Sequence, residues 1–138
     1  MTNHITDQTL TDLRVLIVDD DDSVRKMVAR VLNRLGATVW TAPSAEHALN
    51  CASVWKVDVV LSDVMMPGAT GHELAARLGA LRPELPVVLM SGAVSRSTVT
   101  MSSHHRQRQL LSKPFSRDQL LSALRPCLPY PETSASSV

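Results

Sequence analysis

Residues 14–25 read RVLIVDDDDSVR: four consecutive aspartates, Asp19 to Asp22, directly follow the apolar run Val15, Leu16, Ile17 and Val18. A short, continuous apolar run suits a strand buried on both faces. The residues after the acids read as a helix, because Val24, Met27, Val28, Val31, Leu32 and Leu35 recur at steps of three and four and Gly36 stands just past the end. Asp22 or Ser23 is the expected cap, and Asp21 is expected to face solvent. A buried strand that runs into acids and then into a helix is the opening unit of a parallel sheet.

The same unit recurs along the chain. Ala37 to Ala42 reads as a strand, followed by a shorter helix from near Ser44 that carries Ala45, Ala48 and Leu49. Val57 to Ser62 reads as a strand running into Asp63 and the turn-rich loop Met66-Pro67-Gly68-Ala69-Thr70-Gly71. A third helix, His72 to Leu81, puts Leu74, Leu78 and Leu81 on one face. A fourth strand, Pro86 to Met90, ends at Ser91-Gly92. Val94 to Arg108 reads as a weak fourth helix, since Ser, Thr and Val dominate it. Gln109 to Ser112 is the last strand, and Ser116 with Gln119 forms a capping box before Leu120, Leu121 and Leu124, stopping at Pro126. Five strand–helix pairs predict a doubly wound α/β fold with five parallel strands and five helices.

At 138 residues the chain has the length of one domain. The domain is expected over 13–126, with loose, polar tails at 1–12 and 127–138. A net charge of +1, from 14 basic and 13 acidic residues, gives no general pull toward nucleic acid or an anionic membrane. No apolar run approaches the roughly 18 residues that span a bilayer, and the start MTNHITDQTL lacks the apolar stretch of a signal peptide. The chain therefore reads as cytoplasmic. Cys51 and Cys127 fit no metal or disulfide spacing and read as small, buried or half-buried apolar residues. His104-His105 and Arg106 with Arg108 read as solvated side chains, because no third ligand and no nucleic-acid-binding pattern accompanies them.

In an open parallel sheet the working crevice lies at the carboxyl ends of the strands. Those ends carry Asp19 and Asp20 after the first strand, Asp63 after the third, Ser91 after the fourth and Lys113 after the fifth. Converging carboxylates repel by up to about 4 kcal/mol for a pair about 4 Å apart at an effective dielectric of about 20, so the cluster calls for a cation. Oxygen ligands with room for water suit Mg2+, and a carboxylate beside a metal and an ammonium is a suitable phosphoryl acceptor.

The segments VLIVDDDDSVR, VDVVLSDVMMPGATGHEL and PVVLMSG, with Lys113-Pro114 followed by Phe115, resemble the receiver domain of two-component response regulators, in matching order and spacing over residues 13–126. The resemblance implies a flavodoxin-like sheet and a phosphorylation-dependent switch that takes a phosphoryl group from a histidine kinase or phosphotransfer protein. Asp63 would be the phosphoacceptor. Asp20, Asp63 and the backbone carbonyl of Met65 would bind Mg2+, with Asp19 acting through a water. Ser91 would be the switch hydroxyl, Lys113 would pair with phosphate oxygen, the Lys113-Pro114 bond would be cis, and Gly92 would keep the way to Asp63 open. Such a domain is not an enzyme toward other substrates; it catalyses its own phosphoryl uptake and slow autodephosphorylation. Its changed surface would be read by a downstream protein or by a second copy in a phosphorylation-linked dimer. These residues are expected to hold the switch without an output domain, so that output goes through another protein or the chain is one piece of a longer one, and MSG with LLSKPF resembles receivers of hybrid histidine kinases.

Two departures stand out. Leu110 occupies the place where many receivers carry Tyr or Phe, and Arg106-Gln107-Arg108 replaces the usual Gly-Ala turn. Two rivals remain open at this point. A phosphatase resembling the haloacid dehalogenases would use Asp19, Asp21 and Ser23, yet only Asp118 and Glu132 follow the lysine to supply the further acidic pair it needs. A pseudo-receiver would use the fold as a protein-binding module without phosphorylation.

Overall fold

Alternation along the strands decides the architecture. Val15 and Ile17 of the first strand pack with Val59, Leu61, Val88 and Met90 on one side, whereas Leu16 and Val18 pack with Val60, Val87 and Leu89 on the other. Both faces of the strands are therefore buried, and each needs a layer of helices. The computed structural model describes residues 9–91, 108–113 and 115–128. It contains strands β1 (Arg14–Val18), β2 (Thr38–Ala42), β3 (Val59–Asp63), β4 (Val87–Ser91) and β5 (Arg108–Ser112), and helices α1 (Asp22–Arg34), α2 (Ala45–Val54), α3 (Gly71–Leu81) and α4 (Arg117–Leu124). A 3-10 turn, Arg125–Cys127, follows α4.

The strands form one parallel sheet in the order β2-β1-β3-β4-β5. Helices α1 and α4 bring Val28, Leu32, Leu120 and Leu124 to one face, and α2 and α3 bring Ala48, Ala52, Leu74 and Leu78 to the other. The doubly wound parallel sheet predicted from the periodicity is therefore present with all five strands. The expected fourth helix lies outside the described residues, apart from Arg108, which opens β5 instead. Among the described residues, no helix is long and apolar enough to cross a membrane.

Other expectations are corrected at particular residues. The cap of α1 is Asp21, whose carboxylate accepts from the Ser23 and Val24 amides, while Asp22 is already the first helical residue. Asp21 takes that place because its backbone is still extended, at φ −87 and ψ 112. The loose N-terminal segment ends earlier than expected: Leu10 is fully buried and its amide donates to the Leu35 carbonyl at 2.8 Å, closing the end of α1. At the other end Cys127 and Leu128 pack against the same core, and residues 129–138 lie outside the described residues. Leu81, grouped above with Leu74 and Leu78, is 61% exposed and lines a groove between α2 and α3 with Leu49 and Ala80.

Ser44 caps α2 and Ser116-Gln119 closes the expected reciprocal box on α4, while a second such box, Thr70-Glu73, closes α3 where the sequence reading has only a turn. Gly36 takes the left-handed conformation, φ 97, that ends α1. Both cysteines are free and half-buried, as expected, and burial, with the Asp58 carboxylate nearby, pushes the Cys127 thiol up to about 11.

Gly71 answers to a different constraint, close approach. A Cβ there would collide with the Asp63 carbonyl and reach the Leu89 side chain at 3.0 Å, so a side chain would push α3 away from the end of β3. Gly79, in the same helix, has nothing within 4 Å of its would-be Cβ. Gly71→Ala is expected to cost about 2 kcal/mol in urea unfolding, whereas Gly79→Ala should be neutral or stabilise by up to about 1 kcal/mol through helix propensity. Equal effects from the two changes would refute the steric account.

Candidate functional site

Register sets the height of each group on the rim. Val18 pairs with Ser62, so Asp19 leaves β1 level with Asp63 at the end of β3. Asp63 in turn pairs with Met90, and Ser91 with Ser112, so Ser91 and Lys113 stand just beyond Asp63 on the neighbouring strands. The point where the strand order turns back, between β1 and β3, is the topological switch point at which doubly wound sheets place their ligands.

Four of the side chains predicted to meet there, those of Asp19, Asp20, Asp63 and Lys113, do meet. One carboxylate oxygen each from Asp19, Asp20 and Asp63 lies within 4.8 Å of the others. The Lys113 ammonium reaches Asp63 Oδ1 at 3.3 Å and Asp19 Oδ2 at 3.4 Å. Its backbone amide donates to the Ser91 carbonyl at 2.7 Å, which fastens the end of β5 to the end of β4. Ser91 itself is buried.

Asp19 is 1% exposed and held at every polar group. Its amide donates to the Ala42 carbonyl at 3.2 Å, its Oδ1 accepts from the Asp21 amide at 2.9 Å, and its carbonyl accepts from Arg25 Nη1 at 2.6 Å. Asp20, the next residue, is exposed. Burial pushes the Asp63 carboxyl above the ordinary carboxylate range and the Asp19 charge adds to the rise; the Lys113 ammonium and the Met65 amide oppose it. Two carboxylates face one ammonium, with a third close by, and the balance remains negative.

That donor set fits Mg2+. The ligands are hard carboxylate oxygens, and one of them, on Asp20, is open to solvent, as suits an ion that keeps part of its water shell. Among the described residues, no histidine or cysteine belongs to the cluster. For Met65 the contact with Asp63 is made by its amide, and the residue is 65% exposed. The Lys113-Pro114 bond, Gly92, His104, His105 and Arg106, and the side chains of Arg108 and Leu110, lie outside the described residues.

Two residues important to this geometry were not singled out from sequence. Gly71 gives α3 its close approach to Asp63, and Arg25 grips the Asp19 carbonyl while pairing with Asp22. Gly71 reads as one more turn glycine. Arg25 carries no signal beyond its place about one helical turn after the acids.

The phosphatase alternative meets a geometric obstacle. It would need Asp21 free to act beside Asp19, but the Asp21 carboxylate is engaged by the first amides of α1, and Asp19 is buried against Lys113.

Comparison with known proteins agrees with this geometry. The family model of the response regulator receiver domain matches residues 15–125. A two-component response regulator of Arabidopsis thaliana is 37% identical over 118 residues, covering 84% of this chain and 31% of the relative. A transcriptional regulatory protein of Mycobacterium tuberculosis is 33% identical over 118 residues, 84% of this chain and 46% of its own. The chain thus spans less than half the length of either relative. Among solved structures, a chemotaxis protein of Vibrio cholerae superposes with a TM-score of 0.77 at 31% identity, covering 86% of this chain and 100% of that one. A response regulator of Thermotoga maritima, in complex with Mg2+-BeF, superposes with a TM-score of 0.74 at 25% identity, covering 84% and 99%. With a match over most of its length and its acids and lysine gathered on one rim, the chain belongs to the response regulator receiver domain family.

Proposed function

We propose that this domain accepts a phosphoryl group on Asp63 and signals by the change of surface that follows. The observation that carries the reading is the placement of the Asp63 carboxylate, gathered on the rim with those of Asp19 and Asp20 and 3.3 Å from the Lys113 ammonium. An Asp63 carboxylate oxygen attacks the phosphorus of a phosphohistidine on a histidine kinase or phosphotransfer protein. The phosphorus–nitrogen bond breaks, and the imidazole nitrogen leaves with its electron pair. Lys113 meets the charge of the transferred oxygens, and the Ser91 hydroxyl is the donor that turns toward them.

Asp20 and Asp63 are the direct Mg2+ ligands on this reading, with the Met65 carbonyl as a third and Asp19 acting through water. The ion supplies charge neutralisation to both the carboxylates and the phosphoryl oxygens. The domain transfers phosphate only to its own side chain and hydrolyses it slowly, so it acts as a switch and not as an enzyme on other substrates. The added charge shifts a pre-existing equilibrium between two conformations, and a partner, either a downstream protein or a second copy of the domain, reads the result.

Incubation with acetyl phosphate and Mg2+ is expected to add one phosphoryl unit by intact mass, and chelation of Mg2+ or Asp63→Asn to abolish the gain. A wild-type chain that gains no mass under these conditions favours the pseudo-receiver, and uptake that survives Asp63→Asn but is lost in Asp19→Asn favours the phosphatase reading.

The raised Asp63 carboxyl makes a second expectation. For an acid whose folded value lies above its unfolded one, ionisation works against folding. The stability it permits is full below the unfolded value and is lost as pH rises through the folded value. Asp63→Asn should therefore stabilise the metal-free protein at neutral pH by on the order of 1 kcal/mol, a rise of roughly 3–5 °C in Tm for a domain of this size. The advantage should vanish in acid, below the ordinary carboxylate value, and shrink at neutral pH when Mg2+ is added. A mutant less stable than wild type at pH 7 without metal would contradict it.

A further inference from the structure

Resting on the Mg2+ reading above, we infer that Arg25 is a positioning residue for the metal ligand Asp20. Arg25 lies in the first turn of α1, with its side chain 15% exposed. Its Nη1 donates to the Asp19 carbonyl at 2.6 Å, and its Nη2 is bonded to the Asp22 carboxylate. The peptide group is planar, so fixing the direction of the Asp19 carbonyl also fixes the Asp20 amide and the plane from which the Asp20 side chain departs. No other guanidinium among the described residues is bonded to this loop.

The grip matters because the site works against itself. Three carboxylate oxygens lie within 4.8 Å of one another, and Lys113 faces two of the three carboxylates, those of Asp19 and Asp63. Asp20 is the exposed member of the set, free to relieve repulsion by turning outward. A planar guanidinium holds the carbonyl and Asp22 from two nitrogens set in a rigid fork, a fixed geometry that the single nitrogen of an ammonium does not reproduce. Asp20 then stays where the ion needs it, and the cost of ordering the loop is met before binding.

Charge and position predict opposite signs, which makes the role testable. Removing the Arg25 cation makes the acidic loop more negative, so an effect of charge alone would tighten Mg2+ binding. Loss of the grip would weaken it. Lys26 is the control, because it pairs with Asp22 at 3.5 Å from the exposed side of α1 and does not touch Asp19.

Mg2+ is titrated into the wild type, Arg25→Met and Lys26→Met, following the backbone amide shifts of Asp63 and Met65. The midpoint is expected to rise about tenfold in Arg25→Met, the lower end of the range for groups supporting a metal ligand, and to stay or fall slightly in Lys26→Met. Partial unfolding lowers the amplitude without moving the midpoint of the folded signals. Should Arg25→Met fold poorly, Arg25→Lys keeps the charge and loses the fork, and its midpoint should still rise. For phosphoryl uptake from acetyl phosphate, the half-saturating Mg2+ should rise by the same factor while the rate at saturating Mg2+ holds. An Arg25→Met midpoint equal to or below that of the wild type, or an equal rise in Lys26→Met, overturns the role of Arg25 alone. A wild type that binds no Mg2+ overturns the metal reading, and the inference falls with it.

Discussion

The Lys113 ammonium stands between carboxylates that arrive from 94 and 50 residues away, and the rest of the rim depends on that meeting. A sheet whose central strands end in buried acids is electrostatically costly unless a cation is built in. Here the cation comes from the end of the edge strand β5, held by a bond between its own backbone and Ser91. Removing the lysine would leave Asp19, almost wholly buried, with the Asp21 amide as its side-chain partner and Asp63 with the Met65 amide. A buried charge stripped of its partner costs several kcal/mol. The ammonium therefore links the ordering of the sheet's far edge to the charge state of its centre.

That arrangement also leaves the site incomplete, and the incompleteness is useful. One ammonium does not neutralise three carboxylates, so the metal-free rim keeps negative charge that a small hard cation can meet. The burial that raises the Asp63 carboxyl would also make any new charge there felt strongly, since screening is weak in such surroundings. On the proposed reading, phosphorylation replaces one carboxylate charge with a larger one. The elements free to answer are at the rim, because β3 and β4 are buried along their whole length and packed on both faces. A stiff sheet with a frustrated edge is what a switch of this kind requires.

How much of this was legible in the sequence depends on where the information is stored. Strands and site acids were legible because they rest on residue type and order: Val15 to Val18, Val59 to Leu61 and Val87 to Leu89 are apolar runs, and the acids and lysine follow their ends. The capping boxes of α3 and α4 are also side-chain chemistry, and Ser116 with Gln119 could be read directly. Leu10 escaped because a lone leucine among polar neighbours has no period; it packs in the core beside Leu13 and Leu35, held there by a backbone bond to Leu35 that no pattern announces. Gly71 and Arg25 escaped for the same reason, since each acts on a carbonyl oxygen, that of Asp63 or Asp19, and every residue has one. Periodicity likewise placed Leu81 on the core face of α3, although the helix carries it into the groove beside Leu49 and Ala80.

The four aspartates show the same limit most sharply, because their chemistry is identical and their work is not. Asp19 is the last to share the strand's burial, and it binds the lysine and the loop. Asp20 follows a clamped peptide and belongs to the site cluster while open to solvent. Asp21, still extended, caps α1, and Asp22, already helical, pairs with Arg25 and Lys26 on consecutive positions of that helix. Within four residues the backbone passes from strand to loop to helix, and each change of dihedral angle assigns a carboxylate to a different partner. Composition could count these charges at one place, but only the turn of the backbone divides them into a buried anchor, an open ligand, a cap and a counterion.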